Sequence, residues 1–512
     1  MPMPLTEGKH VAAPVSAGSR TWAILHLLEG VAAGFAAAAF AWLLLVALRM
    51  IASPAPQEMR EGAIVLSTLA LLDGVNPYGG AGLARGAGNL YGVLYPLVVA
   101  PAAGLFGAGL VTHRAVAALG IAIATWLVWR GARQAGGSAA LSAMAAALSA
   151  AGWLYWVGPT VRPDGVGLAC MLGALVIAAP APAEWRRFVP ALLLSLAGFA
   201  AKIYFLGGIF IVVAHVLLFI RWQRGLVLGL AALAALAGWA GFLALMLPGW
   251  AALVLGANVG AASYDVGHLL RQGWDWLLFS VPLVTGLAAV ALVAPAERLK
   301  GQAGFWCFAA LCGLAVLLVS LGGHGGAHMT YFFHLLTPPL AVAIAALAGT
   351  NPWPGRVMLL ALPPTILLNA HWFVTNPHRF ATAEARFAVA GELLAAARAP
   401  LVTTEFAALA ALAGHVPVET GHSEYMLDAA GQAALRATIR AQLAARQHDV
   451  VIVNRNNGGL VLARDVEAAG YRRVAELPVD LVWAMQSWEA DIWLPPEGGG
   501  AVSPPLPGGS RR

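Results

Sequence analysis

The residues of this chain that could do chemistry stand at a few sharply defined places, each set against apolar sequence. Glu58 and Arg60 precede the run from Glu61 to Leu72, which Glu61 begins, and Asp73 follows it. Arg162-Pro163-Asp164-Gly165 opens another apolar run, and Lys202 sits between two apolar arms in Phe199-Ala200-Ala201-Lys202-Ile203-Tyr204. Asp265, His268 and Arg271 lie in a later polar stretch. The glycine-rich segment from Gly322 to Tyr331 carries His324 and His328 and leads into a run that holds His334. Ionisable groups beside hydrocarbon are costly, and where they persist they mark function more often than elsewhere.

Each place has a chemical reading and a structural one. A carboxylate at Glu61, beside a low-dielectric wall, can act as a general base; equally, an acid favours the positive end of the helix it begins. Arg162 can hold a phosphate through a bidentate fork. Pro163 and Asp164 are also good residues with which to start a helix. Lys202 can neutralise a lipid-linked phosphate or simply extend its ammonium to the interface. The histidines invite a metal, but the glycines between them do not supply a rigid helical pair of ligands and no carboxylate is interleaved. Donation from His328 or His334 to a phosphate or sugar hydroxyl is therefore preferred to a metal site, and a divalent metal is not expected. No nucleotide-phosphate loop, dinucleotide glycine fingerprint, serine elbow or zinc-protease helix motif occurs.

The elements that must position these groups follow from composition. Of the 512 residues, 60% are hydrophobic and only 11% are charged, with mean hydropathy +0.75. That leaves too little polar surface for a soluble globule of this length, and it predicts a polytopic α-helical membrane protein. The formal charge of +6 does not signal a nucleic-acid partner, because the arginines sit in short loops between apolar runs. The three cysteines, Cys170, Cys307 and Cys312, lie inside apolar runs and suggest no disulfide framework.

Placing Arg130/Arg133, Arg186/Arg187, Arg221/Arg224, Arg298/Lys300 and Arg356 on the cytoplasmic side gives about eleven spans, with the N-terminus inside and the C-terminus outside. They fall near 22–50, 112–130, 138–160, 163–181, 187–202, 203–220, 225–248, 275–295, 303–322, 331–349 and 356–373. Residues 1–21 form a cytoplasmic tail. An outer loop, 51–111, contains an amphipathic stretch from Glu61, a turn at 74–80, and a proline-broken apolar stretch, Leu90 to Phe106, expected to lie in the interface. After residue 373 the charge rises to soluble levels. Helical periodicity at 381–398 and 430–446, with β-rich runs at 401–404 and 449–454, predicts a small extracytoplasmic α/β domain over 374–495. A Gly/Pro/Ser-rich tail, 496–512, follows.

These features together resemble the GT-C superfamily of integral membrane glycosyltransferases, in particular the bacterial branch similar to protein O-mannosyltransferases and lipid A aminoarabinose transferases. The resemblance rests on Arg60-Glu61-Gly62 followed by Leu71-Leu72-Asp73-Gly74-Val75-Asn76-Pro77-Tyr78. It rests also on Tyr95-Pro96-Leu97 with Leu105-Phe106-Gly107, on Arg162-Pro163-Asp164, and more loosely on Lys202 and on His328 to Pro338 with Tyr331. It covers residues 22–373. Where the family carries an acidic pair, this chain has Arg60 before Glu61, so the base is Glu61 or else Glu58.

The resemblance implies transfer of a sugar from a polyprenyl-phosphate donor to a glycan, lipid or protein acceptor, with inversion, on the outer face of the bacterial inner membrane. No cofactor is implied. Arg162, Asp164, Lys202, His328, Tyr331 and His334 would surround the donor phosphate. Two rivals stand beside this reading. A lipid-sugar flippase would favour inverted repeats and midplane charges, and the sequence offers neither. A non-catalytic envelope scaffold would tolerate Arg60 in place of the acid.

Overall fold

A computed structural model describes residues 17–496 apart from 157, 257–263, 324–328, 370–383, 386, 421, 423–426, 428, 456–458 and 481–486. Long apolar runs with few charges become helices because only a helix satisfies every backbone group within its own segment. The helices are α1 (Ala17–Ala52), α2 (Glu61–Leu72), α3 (Leu94–Phe106), α4 (Leu110–Gln134), α5 (Ala139–Trp156), α6 (Asp164–Ala178) and α7 (Trp185–Ala201). Next come α8 (Gly207–His215), α9 (Trp222–Met246), α10 (Val266–Phe279), α11 (Val281–Val293) and α12 (Gln302–Val319). The bundle ends with α13 (Thr330–Leu335), α14 (Thr337–Ala348) and α15 (Trp353–Leu368).

A helix or helix pair stands at every expected span. Six stretches among the described residues are long and apolar enough to cross a membrane, or seven if α10 and α11, bent by 78°, are one broken span. The expected spans at 138–160, 163–181, 187–202 and 356–373 coincide with shorter helices, α5, α6, α7 and α15. Helix α1 begins at Ala17, ahead of the expected tail boundary at 21.

The chain breaks at Lys202, whose backbone is extended at φ −161°, ψ 131°. It then doubles back, so that a Cβ on Gly198 would lie 3.1 Å from Cβ of Phe205. Residues seven apart in a straight helix would be roughly 10 Å apart along the axis. The break therefore presents Lys202 at the end of the bundle instead of burying it along a span.

Residues 51–109 fold over that end. Helix α2 differs from its expected amphipathic placement: Glu61 to Thr68 and Ala70 are all buried. The reason lies beyond it in sequence. Helix α3 packs against it, and so does α17 (Ala407–Leu412) of the C-terminal unit. Helix α3 leaves Leu97, Val98, Leu105 and Phe106 exposed and carries Pro101 inside it.

The C-terminal unit has one sheet in the order β1-β2-β4-β3, formed by β1 (Leu401–Val402), β2 (Val451–Asn454), β3 (Arg472–Asp480) and β4 (Ser487–Leu494). Strands β1 and β2 are parallel, and the other pairs are antiparallel. Its helices are α16 (Phe387–Ala396), α17, α18 (Ala429–Ala444) and α19 (Ala463–Ala468). Successive residues of a strand point to opposite faces. Val451 and Val453 accordingly pack with Ile439 and Leu443 of α18. Val450 and Ile452 pack on the other face with Phe387, Leu394 and Phe406, and also with Met50 from the end of α1. One face of the sheet thus shares a core with the first membrane helix.

The α2–α17 contact is closed to side chains at Gly62, where a Cβ would stand 2.6 Å from Cβ of Ala407 and 2.9 Å from the Ala408 nitrogen. Gly62→Leu should wedge the C-terminal unit away from α2 at a cost of about 1–3 kcal/mol. A lowered thermal midpoint, with faster proteolysis between α15 and β1, is the expected outcome. An unchanged midpoint and digestion pattern would mean that the two parts do not pack there.

Candidate functional site

The site is built around a buried ion pair. Glu61 heads α2 and Arg114 lies one turn into α4, and both side chains are fully excluded from solvent. Arg114 Nε donates to Glu61 Oε1 at 3.0 Å and Nη2 donates to Oε2 at 2.7 Å. The remaining guanidinium donors go to backbone carbonyls at and beyond the end of α1: Met50 O at 3.0 Å, Ser53 O at 2.6 Å and Ala55 O at 2.7 Å. All five N–H donors of the arginine are thereby used, and carbonyls that a helix end leaves unpaired are satisfied. The carboxylate is equally saturated. Glu61 Oε1 also accepts the Val161 N–H at 3.0 Å, and Oε2 accepts the Gln57 N–H at 2.8 Å.

These two backbone bonds set the surroundings. The Val161 bond fixes the residue before Arg162, and the Gln57 bond fixes the residue before Glu58. Glu58 is 7% exposed, and its Oε2 accepts the Arg60 N–H at 2.8 Å. The Arg60 guanidinium lies 3.7 Å from Glu58 Oε1.

The second group centres on Asp164, the first residue of α6. It receives Arg162 Nε at 2.8 Å, Lys202 Nζ at 3.0 Å and Tyr204 OH at 3.1 Å. His334 Nδ1 is 3.8 Å away and shares a 2.7 Å hydrogen bond with Tyr204 OH. Aromatic rings wall in the lysine: Nζ is 4.7 Å from the Tyr91 centroid, 5.2 Å from Tyr204 and 5.5 Å from Tyr331. Ring faces attract cations, more so when water is excluded. Tyr91 reaches this position because Gly92 N–H donates to Ala201 O at 3.0 Å, an approach in which any Cβ would strike the Ala200 carbonyl.

Burial is the largest single influence on the Lys202 ammonium and pulls it towards the neutral form, but the Asp164 carboxylate together with the Tyr331 and Tyr91 phenols outweighs it, and the net direction is upward. Arg162 behaves likewise: burial opposes its charge, while Asp164 first and Glu58 among others restore it. Both stay cationic. Arg60, Arg162 and Lys202 together outnumber the carboxylates Glu58 and Asp164, so the cluster keeps a positive excess. Burial lowers the pKa of His422, from the C-terminal unit, well below the ordinary imidazole value, and Arg60, Arg162 and Lys202 add to the effect.

Of the residues expected from sequence, Arg162, Asp164, Lys202, Tyr331 and His334 come together, with Glu58 at their edge. Glu61 lies behind them, sealed by Arg114. His328 lies outside the described residues, as does His324. Asp265 caps α10 through the Gly267 N–H at 2.8 Å, and Asp73 pairs with Arg85 at the surface. Sequence reasoning missed Arg114, Tyr91, Tyr204 and His422. A signal for Arg114 existed, because it is an arginine inside an apolar run. No group of three or more His, Cys, Asp or Glu among the described residues could hold a metal ion.

No protein-family model matches the chain, and no curated protein matches it. Solved structures do. ArnT from Cupriavidus metallidurans bound to undecaprenyl phosphate superposes with TM-score 0.59 at 14% identity, covering 93% of this chain and 98% of that one. The chain has the fold of this ArnT. The apo state of the same ArnT gives TM-score 0.58 with the same identity and coverage. The likeness therefore extends across both the helical bundle and the C-terminal unit.

The ion pair has a measurable signature. Arg114→Met leaves a buried carboxylate unpaired and should cost about 3–5 kcal/mol. In the double variant with Glu61→Gln, the loss should fall short of the summed single losses by roughly 0.5–3 kcal/mol. Thermal unfolding of the four proteins in detergent measures this, and strictly additive losses would show that the two side chains do not interact.

Proposed function

We propose that the protein is a membrane glycosyltransferase that moves a sugar from a polyprenyl-phosphate donor to an acceptor hydroxyl at the outer face of the bacterial inner membrane. The observation that carries this reading is the two cations Arg162 and Lys202 held together by Asp164 at the end of the bundle, within a fold for which ArnT has been solved with undecaprenyl phosphate bound. The basic loops fit this orientation. Arg130 and Arg133 lie at the far end of α4 from Arg114, and Arg298 binds Leu347 O at that same far end.

In the proposed mechanism the donor phosphate lies against Arg162 and Lys202. Negative charge grows on it as the bond to the anomeric carbon breaks, and preorganised cations stabilise such charge without having to reorient. Asp164, held by Tyr204 and near His334, keeps both cations aimed. The acceptor hydroxyl attacks from the side opposite the leaving phosphate, which inverts the anomeric centre. We place the general base at Glu58 instead of the expected Glu61. Glu58 retains some exposure and stands at the edge of the cation cluster, whereas each oxygen of Glu61 already accepts two N–H groups and neither meets solvent. Glu61 is then the anchor that sets Glu58 and Arg162 in place. The acceptor is a glycan, a lipid or a protein.

The test is release of polyprenyl phosphate by protein in lipid nanodiscs, supplied with polyprenyl-phosphate sugars and an envelope acceptor fraction. Glu58→Gln should lower turnover by about 10²–10⁴-fold with no change in thermal midpoint or in lipid-phosphate binding. Glu61→Gln should lower turnover and thermal midpoint together. Turnover that survives in Glu58→Gln would remove Glu58 as the base, and no release from any donor by folded wild type would remove the transferase reading itself.

A further inference from the structure

His422 belongs to the C-terminal unit, yet it stands in the charged cluster. It is fully buried. Its Nδ1 accepts the Leu90 N–H at 3.4 Å, which places the ring proton of the neutral imidazole on Nε2. The ring meets Tyr91 edge-on, with centroids 4.9 Å apart and planes at 88°. That same Tyr91 ring has Lys202 Nζ at 4.7 Å and Arg162 Cζ at 6.0 Å.

The segment that leads to His422 is held from both sides. Glu419 accepts the Val461 N–H at 2.7 Å, fixing it to the core of the C-terminal unit. At Gly86, where φ is +68°, a Cβ would stand 3.2 Å from Pro417 O and 3.3 Å from Thr420 Cγ2, so the segment also seats on the outer loop.

Within this fixed setting, Nε2–H of His422 has no hydrogen-bond partner among the described residues. A buried donor without an acceptor is costly, and the cost is recovered when an acceptor arrives. The field around it selects the acceptor. Three cations stand close enough to act on the ring, so an anionic oxygen is drawn there more strongly than a carbonyl or hydroxyl oxygen. Because the imidazole is neutral, it adds a directed donor without adding to the mutual repulsion of those cations.

We propose that His422 Nε2 donates a hydrogen bond to a phosphate oxygen of the ligand that Arg162 and Lys202 hold, so that the C-terminal unit completes the phosphate site. This rests on the donor reading above. His422 is then a binding residue supplied by the C-terminal unit, and docking of that unit becomes part of substrate recognition. The chemistry is that of a phosphate oxyanion, whether it comes from a lipid or is free in solution.

The experiment measures equilibrium binding of undecaprenyl phosphate to the full chain in nanodiscs, with inorganic phosphate as competitor. The proteins are wild type, His422→Phe, His422→Gln and Lys202→Met. Phenylalanine keeps the packing on Tyr91 and removes the donor; glutamine keeps a donor near the Nε2 position. The expected result is a loss of about tenfold or more in affinity for His422→Phe and less than about threefold for His422→Gln, since a hydrogen bond to a charged group contributes about 1.5–3 kcal/mol.

Inorganic phosphate should compete in wild type and compete more weakly in His422→Phe, which would assign the contact to the phosphate group itself. Weaker lipid binding with unchanged phosphate competition would assign it to the lipid chain and overturn the proposal. Loss of affinity in both His422 variants together with a lowered thermal midpoint would overturn it in favour of a packing role. Wild-type affinity in His422→Phe, with Lys202→Met defective, would overturn it and leave the donor reading standing. Wild type that binds no undecaprenyl phosphate would remove both.

Discussion

The saturated pair of Glu61 and Arg114 is the interaction on which the site-bearing end of this molecule depends. Two opposite charges without solvent are tolerable only when every donor and acceptor between them is matched. Here the arginine uses all its N–H groups and the carboxylate accepts two on each oxygen. The geometry joins the end of α1, the start of α2, the first turn of α4 and the approach to α6 at one point. A conformation of residues 51–109 that moved any one of them would leave a buried charge or a helix end unpaired. The pair gives rigidity where a membrane protein has few other polar means of obtaining it.

What that rigidity positions is a group of cations with mutual support. Lys202 is available because the chain breaks there, and it remains charged because Asp164 and three aromatic rings surround it. Arg162 remains charged for the same carboxylate reason. Tyr91 is the shared surface, touched by Lys202 from the bundle and by His422 from the C-terminal unit. Packing of α17 on α2, and of Met50 into the core of the sheet, holds that unit at the distance this contact requires. The C-terminal unit and the membrane helices are parts of one structure at the site.

Much of this was legible in the sequence, and the gaps have physical causes. Apolar runs between arginines located the helices because backbone satisfaction and charge placement are local constraints. The break at Lys202 was legible as well, since a single helix through 188–220 would be too long for one span. Strands β1 and β2 showed as β-rich runs, and β3 and β4 were passed over because charge and Pro478 interrupt the pattern in β3. The prominence of Glu61 was visible, but its partner lies 53 residues away, and a carboxylate at a helix start looks the same whether it is a base or an anchor. His422 meets Leu90 across 332 residues, a pairing that no local pattern encodes. A function-bearing residue was easiest to find where its own neighbours made its charge conspicuous.

The most direct measurement of the central claim is a cryo-electron-microscopy structure of the protein in lipid nanodiscs loaded with undecaprenyl phosphate. The account predicts phosphate density within hydrogen-bonding distance of Lys202 and Arg162 beside the Tyr91 ring, with the Glu61–Arg114 pair unchanged behind it. Lipid phosphate bound elsewhere, with the Lys202 cluster closed on Asp164 and empty, would contradict it.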